Sequence, residues 1–435
     1  MGCCHHYLLS EGNESIFTVD FNPIKYGPGA LEELPFEVGF LGLSRVALFT
    51  DSIVRNLEPV QDAIRLLQAA RLDFEIYDEV SIEPTDQSFL AAARFATEEG
   101  PFDGFVSIGG GSVIDTCKAA NLYSTHPAEF LDYVNAPVGE GIPIPGELKP
   151  HIACPTTSGT GSECTGIAVF DLLSRQVKTG IASARLKPAR AVIDPRVTAS
   201  LPATVVAASG FDVLCHALES YTAMPYTQRP RSEAGIRPLS QGSNPYSDMG
   251  CREAIRLTGE YLVRAVSDER DDEARHGMML AATLAGIAFG NSGVHIPHGM
   301  SYSVAGLVRD YCPDGYPAGH PLVPHGISVI VNAPAAFRFT GPANHERHLE
   351  AGGLMGADIG DAGPAEAGEA LSAHLENMMR VTGMPNGISQ VGYDSSDIGN
   401  LADGAFMQQR LLGNAPCEVT HENLRQMYRD AIRYW

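Results

Sequence analysis

The sequence predicts an α/β domain over residues 1–200, built on a Rossmann-like parallel sheet, followed by an all-α domain over residues 201–435. Three observations predict it. Strand-like and helix-like segments alternate through the first half. A triple-glycine turn, Gly109-Gly110-Gly111, joins a strand to a helix. After Leu201, long helical patterns replace the alternation.

Taken in order, residues 45–51, with the run Val46-Ala47-Leu48-Phe49, read as a buried strand. Residues 59–70 follow with helical spacing, and Pro59 is tolerated in a first turn. Leu72, Phe74 and Ile76 alternate with polar neighbours as a second strand, and residues 87–99 form a second helix. Gly104-Phe105-Val106-Ser107-Ile108 is a strand that ends in the glycine turn. Residues 151–163 give another strand and a turn rich in Thr, Ser and Gly. Residues 186–202 carry Pro188, Pro195 and Pro202 and are expected to cross between the domains. Helices are expected over 203–223, 248–266, 271–288 and 365–382. In the last, Leu371, Leu375, Met378 and Val381 share a face, and Gly383 and Pro385 stop it. Thr420 is expected to cap a final helix through Tyr434.

Charge excludes several functions. Thirty Lys and Arg against 52 Asp and Glu leave a net charge of −22. Such a surface repels phosphate backbones and anionic membranes, so neither nucleic acid nor membrane is an expected partner. It also repels anionic substrates at long range, so a carboxylate substrate would need a local cation. Nine cysteines without CxxC pairs suit reduced thiols. No uninterrupted apolar stretch of about 18 residues occurs, so no membrane span is expected. Met1-Gly2-Cys3-Cys4-His5-His6 lacks the charged and apolar regions of a signal peptide, and no Arg-rich, acid-poor leader is visible. A cytoplasmic location is therefore expected. Gly2 meets one requirement for myristoylation, but His6 stands where Ser or Thr is wanted, and a frayed terminus is the simpler reading.

The segment from Ile108 to Asp115 carries the cofactor signal. Glycines there let the backbone approach a phosphate, and the helix N-terminus offers free N–H groups. It is not the G-x-G-x-x-G fingerprint, and a tight turn that merely needs small residues is an equal alternative. Asp51, at the end of an earlier strand, could accept hydrogen bonds from ribose hydroxyls and would disfavour a 2′-phosphate, favouring NAD over NADP. Its alternative is a local turn cap. The loop from Pro155 to Ser162, with Thr156 and Thr157, could close over a cofactor or form a hydroxyl-rich turn.

Asp212 and His216, four apart in an apolar helical segment, share one helix face. A carboxylate there is seldom buried unless paired or metal-bound. His298 follows the small-residue run 281–288, and His325 sits in Leu322-Val323-Pro324-His325-Gly326. One carboxylate and three imidazoles suit a divalent cation. Taken singly, each of the 14 histidines reads more readily as a structural or exposed residue than as a ligand.

The order of Gly109-Gly110-Gly111-Ser112-x-x-Asp115, the Thr156-Thr157 loop, Asp212-x-x-x-His216, His298-Gly299-Met300 and Pro324-His325-Gly326 resembles the iron-containing (group III) alcohol dehydrogenases. The resemblance runs from Tyr26-Gly27 to the last helix. Within that family the sequence looks most like the hydroxyacid-oxoacid transhydrogenases, on Glu83-Pro84-Thr85, Gln241-Gly242-Ser243-Asn244-Pro245 and His298-Gly299-Met300-Ser301-Tyr302. Residues 224–249 look like an insertion relative to simpler members. Many members carry a second His four residues after the one matching His298. Here that position is Tyr302, which puts a His-mediated proton relay there in question.

The resemblance implies a dehydroquinate synthase-like architecture. Asp212, His216, His298 and His325 would be the catalytic metal ligands, for iron first and zinc second. Gly110, Gly111, Ser112, Thr156, Thr157 and Lys178 would line an NAD site, with Asp115 and Asp51 as further candidates. The implied chemistry is Lewis-acid activation of a substrate oxygen and hydride transfer to nicotinamide in a water-poor cleft between domains. In a transhydrogenase the cofactor stays bound: 4-hydroxybutyrate reduces it and 2-oxoglutarate reoxidises it. Both substrates are carboxylates, so a bidentate arginine is expected near the cleft, with Arg229, Arg231 and Arg237 as candidates and exposed loop arginines as the commoner case. An ordinary NAD-dependent alcohol dehydrogenase uses the same ligands. A dehydroquinate synthase-like lyase shares the glycine turn, but the Asp-His-His-His pattern favours the dehydrogenases. A binding protein that keeps the fold without the chemistry is the non-enzymatic alternative. Small hydroxy acids, oxo acids or alcohols are the expected partners, and a homo-oligomer the expected assembly.

Overall fold

The computed structural model describes residues 6–235, 237–316 and 321–435. Gly2, considered above for myristoylation, and the paired Cys3 and Cys4 lie outside them. The chain divides into two compact units. One is Phe21–Leu201; the other joins the chain up to Asp20 with Pro202–Trp435. The segment before Phe21 was expected with the sheet, but it docks on helices. Tyr7 donates to Asp248 at 2.6 Å. Glu14 accepts from the N–H groups of Ser15, Ile16 and Ser232 at 3.0–3.1 Å and from Arg237 at 3.3 Å.

In the first unit, β1 (Ile24–Tyr26), β2 (Arg45–Phe49), β3 (Asp73–Tyr77), β4 (Gly104–Gly109), β5 (His151–Pro155) and β8 (Arg190–Ile193) form one sheet in the order β1-β8-β5-β4-β2-β3. Every pairing in it is parallel. β4 and β5 are buried at every residue, as continuous apolar central strands must be. The helices are α1 (Leu34–Phe40), α2 (Glu58–Ala69), α3 (Asp86–Glu98) and α4 (Gly111–Thr125). Thr85 opens α3 through a capping box with Ser88. From β2 the chain moves outward to β3, then returns to β4 on the other side of β2. The strand order reverses there, and ligands of such sheets bind beyond the carboxyl ends of the strands flanking a reversal.

Residues 186–202, expected as a crossing, contain β8 before the chain passes from one unit to the other at Leu201–Pro202. Ala191, Val192 and Ile193 are buried between β5 and β1. Pro188 and Pro195 fall outside the paired stretch, where a missing N–H costs nothing. The hairpin of β6 (Ile167–Leu172) and β7 (Val177–Ala182) is antiparallel and separate from the main sheet.

The second unit comprises α5 (Ala203–Thr222), α6 (Pro245–Ser267), α7 (Asp272–Ser292), α8 (Ile296–Gly306), α9 (His325–Ile330), α10 (Ala333–Thr340), α11 (His345–Met355), α12 (Ala367–Val381), α13 (Ile398–Phe406), α14 (Gln409–Leu412) and α15 (His421–Asp430). α6 starts three residues before its expected beginning because the Asn244 carboxamide accepts from Tyr246 and Ser247 N–H at 3.1 and 2.9 Å. Thr420 caps α15 through a box with Asn423, but the helix stops at Asp430, short of Tyr434. α5 is buried on nearly all sides and packs against α6, α7 and α9. It is a core helix, so any charged group on it is held away from water. Among the described residues no single helix is long and apolar enough to cross a membrane; α7 and α8 pass that test only together, bent by 102°. None of the described cysteines forms a disulfide.

Candidate metal centre and cofactor turn

Asp212, His216, His298 and His325 come together. One ligand atom from each lies within 4.8 Å of the others. Asp212 and His216 stand one turn apart on α5. His298 comes from the first turn of α8, just after the sharp bend from α7. His325 begins α9, and Gly326 decides that approach. A Cβ on Gly326 would fall 1.9 Å from the Ala208 carbonyl oxygen, so only glycine lets α9 lie this close to α5.

The Nε2 atoms of the three histidines surround Asp212 Oδ1 at 3.7, 3.5 and 3.7 Å. These distances are too long for hydrogen bonds. Two ligands each about 2.1 Å from a shared ion at a tetrahedral angle would lie about 3.4 Å apart, so the spacing fits an ion between them. Asp212 Oδ1 and His298 Nε2 are buried without hydrogen-bond partners. Leaving such groups unpaired is unfavourable, and a cation removes the penalty. His325 is the most open of the four, its side chain 22% exposed, and so marks the side from which a substrate could enter.

The electrostatics agree with a cation site. Burial alone would raise Asp212, but the imidazoles of His216, His325 and His298 hold it below the ordinary carboxylate value. Burial pushes His216 down to about 3. Burial also opposes charge on His298, yet Glu219 and Asp212 outweigh it and raise the ring to about 10.

Sequence reasoning missed Glu219. It lies three residues after His216 on the same face of α5 and is fully buried. Its Oε1 accepts from His298 Nδ1 at 2.6 Å, and its Oε2 from the backbone N–H groups of His295 and His298 at 2.7 and 3.3 Å. A carboxylate behind a ligating imidazole fixes the ring's tautomer and direction. Asp212 and Glu219 together supply two negative charges, which a divalent ion would balance. The signal was present: a charged residue two turns after Asp212 in an apolar helix. On the other wall, Phe289 stacks on the His216 ring with centroids 4.0 Å apart. Tyr302 clusters with Phe289, Val294 and Leu411.

The cofactor candidates also gather, in the sheet unit. Gly109 and Pro155 are register partners at the ends of β4 and β5, and Thr156 N–H donates to Gly109 O at 3.0 Å. A Cβ on Gly110 would stand 3.2 Å from Thr157 Cγ2, and one on Gly111 2.5 Å from Thr160 Cγ2. The two loops therefore approach closely: Gly111 leaves no room for a side chain, and at Gly110 Thr157 would have to give by a few tenths of an ångström. No side chain caps α4, so its N-terminal N–H groups stay available to an anion. Ser112 and Lys178 are linked through Glu83. Glu83 N–H donates to Ser112 Oγ at 3.2 Å, and its carboxylate meets the buried Lys178 Nζ at 2.8 Å. Asp171 lies 3.0 Å from the same ammonium. Asp115 is one turn deeper, occupied by Ser162 Oγ at 2.5 Å and Val169 N–H at 2.9 Å, so it braces the loop from inside. Asp51 ends the strand beside β4, but its Oδ1 accepts from Ile53 and Val54 N–H at 2.9 and 2.8 Å, the local turn role.

The candidate arginines divide. Arg237 pairs with Glu14, Arg231 is exposed, and Arg229 bonds Ser240 O and Asn414 Oδ1.

Comparison with known proteins follows the same lines. The family described as iron-containing alcohol dehydrogenase matches residues 22–195, and the C-terminal part of the Fe-containing alcohol dehydrogenase family matches residues 238–432. The mitochondrial hydroxyacid-oxoacid transhydrogenase of Bos taurus is 47% identical over 422 residues, 96% of this chain and 90% of that protein. Its counterpart in Homo sapiens is 46% identical over the same shares. The crystal structure of a 1,3-propanediol oxidoreductase superposes with a TM-score of 0.83 at 26% identity, covering 96% of this chain and 100% of that one. The expected cytoplasmic location is overturned, because these transhydrogenases are mitochondrial proteins. Targeting segments take no part in the fold, so the residues at the start of the sequence were a poor guide to compartment. The chain belongs to the iron-containing alcohol dehydrogenase family.

Proposed function

We propose that this chain is a hydroxyacid-oxoacid transhydrogenase. It would convert 4-hydroxybutyrate and 2-oxoglutarate into succinic semialdehyde and 2-hydroxyglutarate through an NAD that stays bound between the two half-reactions. The convergence of Asp212 Oδ1 and three imidazole Nε2 atoms carries this reading, together with the 47% identity to a transhydrogenase over nearly the whole chain.

Asp212, His216, His298 and His325 would hold the metal, and their oxygen and nitrogen donors suit ferrous iron, with zinc second. When bound, the metal supplies a Lewis acid and the nicotinamide a hydride acceptor and donor. Glu219 holds His298 with its Nε2 turned toward Asp212. Phe289 holds the plane of His216 and keeps water from that side. Gly110, Gly111 and Ser112 would offer the α4 N-terminus to a pyrophosphate, with Thr156 and Thr157 in the adjoining loop. Lys178 holds Glu83 against Ser112 and thereby shapes the turn. The same relatives support a mitochondrial location.

The test is turnover without added NAD. Purified protein given 4-hydroxybutyrate and 2-oxoglutarate is expected to form 2-hydroxyglutarate. Strict dependence on added NAD would instead favour an ordinary alcohol dehydrogenase.

A further inference from the structure

The helical unit contains a cavity of about 450 Å³, walled by residues that include Glu14, Met224, Arg229, Arg237, Gln241 and Gly413. None of the metal-centre residues lines it. Two guanidinium groups meet there, in different states. Arg237 is matched by Glu14 at 3.3 Å. Both oxygens of Glu14 also accept backbone N–H groups, which fixes the carboxylate beside Arg237. Arg229 donates Nη1 to the Ser240 carbonyl at 3.0 Å and Nη2 to the Asn414 side chain. Both partners are neutral. No carboxylate of the described residues forms an ion pair with it, and its Nε is buried without a hydrogen bond.

A guanidinium keeps its charge under all ordinary conditions. Withdrawing that charge from water without a counter-charge is unfavourable. Burial pulls Arg229 below its ordinary value, with no anion to oppose the shift. The surrounding wall is closely fitted. Gly242, at φ +89°, could not carry a Cβ, which would lie 2.4 Å from Met224 O and 3.0 Å from Arg229 Nε. Among the described residues that wall the cavity, the acid is Glu14, and it pairs with Arg237, so Arg229 stands there without an ion-pair partner. The volume lies within the range of small-molecule pockets, about 300–1,000 Å³, and is ample for a short carboxylate.

We propose that this cavity binds a small carboxylate whose anionic group pairs with Arg229. The inference does not depend on the hydride chemistry proposed above. The carboxylate could belong to a substrate or to a separate effector, and inhibition kinetics distinguish them.

The experiment is calorimetric titration of the purified enzyme with glutarate, which hydride transfer does not alter, and with glutaramide, its neutral diamide. Glutarate is expected to bind the wild type, and glutaramide is not. Arg229→Gln should weaken glutarate binding at least about tenfold, as loss of a charge-assisted hydrogen bond does. Arg229→Lys, which keeps the charge, should retain part of it. If Arg229→Gln does not fold, the two wild-type titrations and Arg229→Lys decide the matter. Competition by glutarate against the hydroxy acid assigns the cavity to a substrate carboxylate. Binding with an unchanged KM assigns it to an effector. Either supports the site. Equal binding by wild type and Arg229→Gln, equal binding of diamide and diacid, or no glutarate binding at all overturns it.

Discussion

Replacing Glu219 with Gln tests whether the buried carboxylate behind His298 tunes the metal centre. The side chain keeps its size, so packing is undisturbed. The hydrogen-bond pattern is not. Glu219 accepts on both oxygens, from His298 Nδ1 at 2.6 Å and from the backbone N–H groups of His295 and His298 at 2.7 and 3.3 Å. A carboxamide can satisfy only one side and turns its NH₂ against a donor on the other. One charge-assisted bond, about 1.5–3 kcal/mol, is lost. The charge facing the ion falls from two to one. Both effects point to roughly a 10–100-fold loss of metal affinity. The assay is Co²⁺ titration followed by visible absorption, against a competing chelator, with circular dichroism to confirm the fold. Activity should return with excess metal in Glu219→Gln, whereas Asp212→Asn should retain neither metal nor activity. Wild-type affinity in Glu219→Gln, alongside metal loss in Asp212→Asn, would refute the reasoning.

Three further outcomes are expected. Gly111→Ala places a Cβ 2.5 Å from Thr160 Cγ2, an overpacking worth about 1–3 kcal/mol; NADH titration should show weaker binding, with metal content unchanged by elemental analysis. Lys178→Met strands Glu83 and Asp171 around a vanished ammonium and should cost about 3–5 kcal/mol in denaturant unfolding. Burial would raise Glu14, but the N–H of Ser232, the Arg237 guanidinium and the N–H groups of Ile16 and Ser15 hold it down at about 2. A depressed carboxylate stabilises the fold above its unfolded pKa, near 4.3, and that contribution fades as pH falls toward 2. Limited proteolysis should therefore cut the segment before Asp20 faster at pH 3 than at pH 6, and Glu14→Gln should remove most of that difference.

Some of this protein was legible in its residues alone. Apolar runs marked β2, β4 and β5, because strands buried on both faces are mostly apolar, and period-two alternation marked the edge strand β3. Asp212 and His216 could be placed on one face because helix geometry is local, and Thr420 announced the start of α15 for the same reason. Tertiary structure decided the rest. β8 depends on pairing with β5 and β1, which its proline-flanked sequence does not state. Glu14 ties the first segment down through Ser232 and Arg237, far along the chain. The meeting of His298 and His325 with Asp212 depends on the bend between α7 and α8 and on Gly326 admitting the Ala208 carbonyl. Periodicity records which residues share a face of one element. It holds no record of which faces of distant elements touch, and the packing of whole helices determines that.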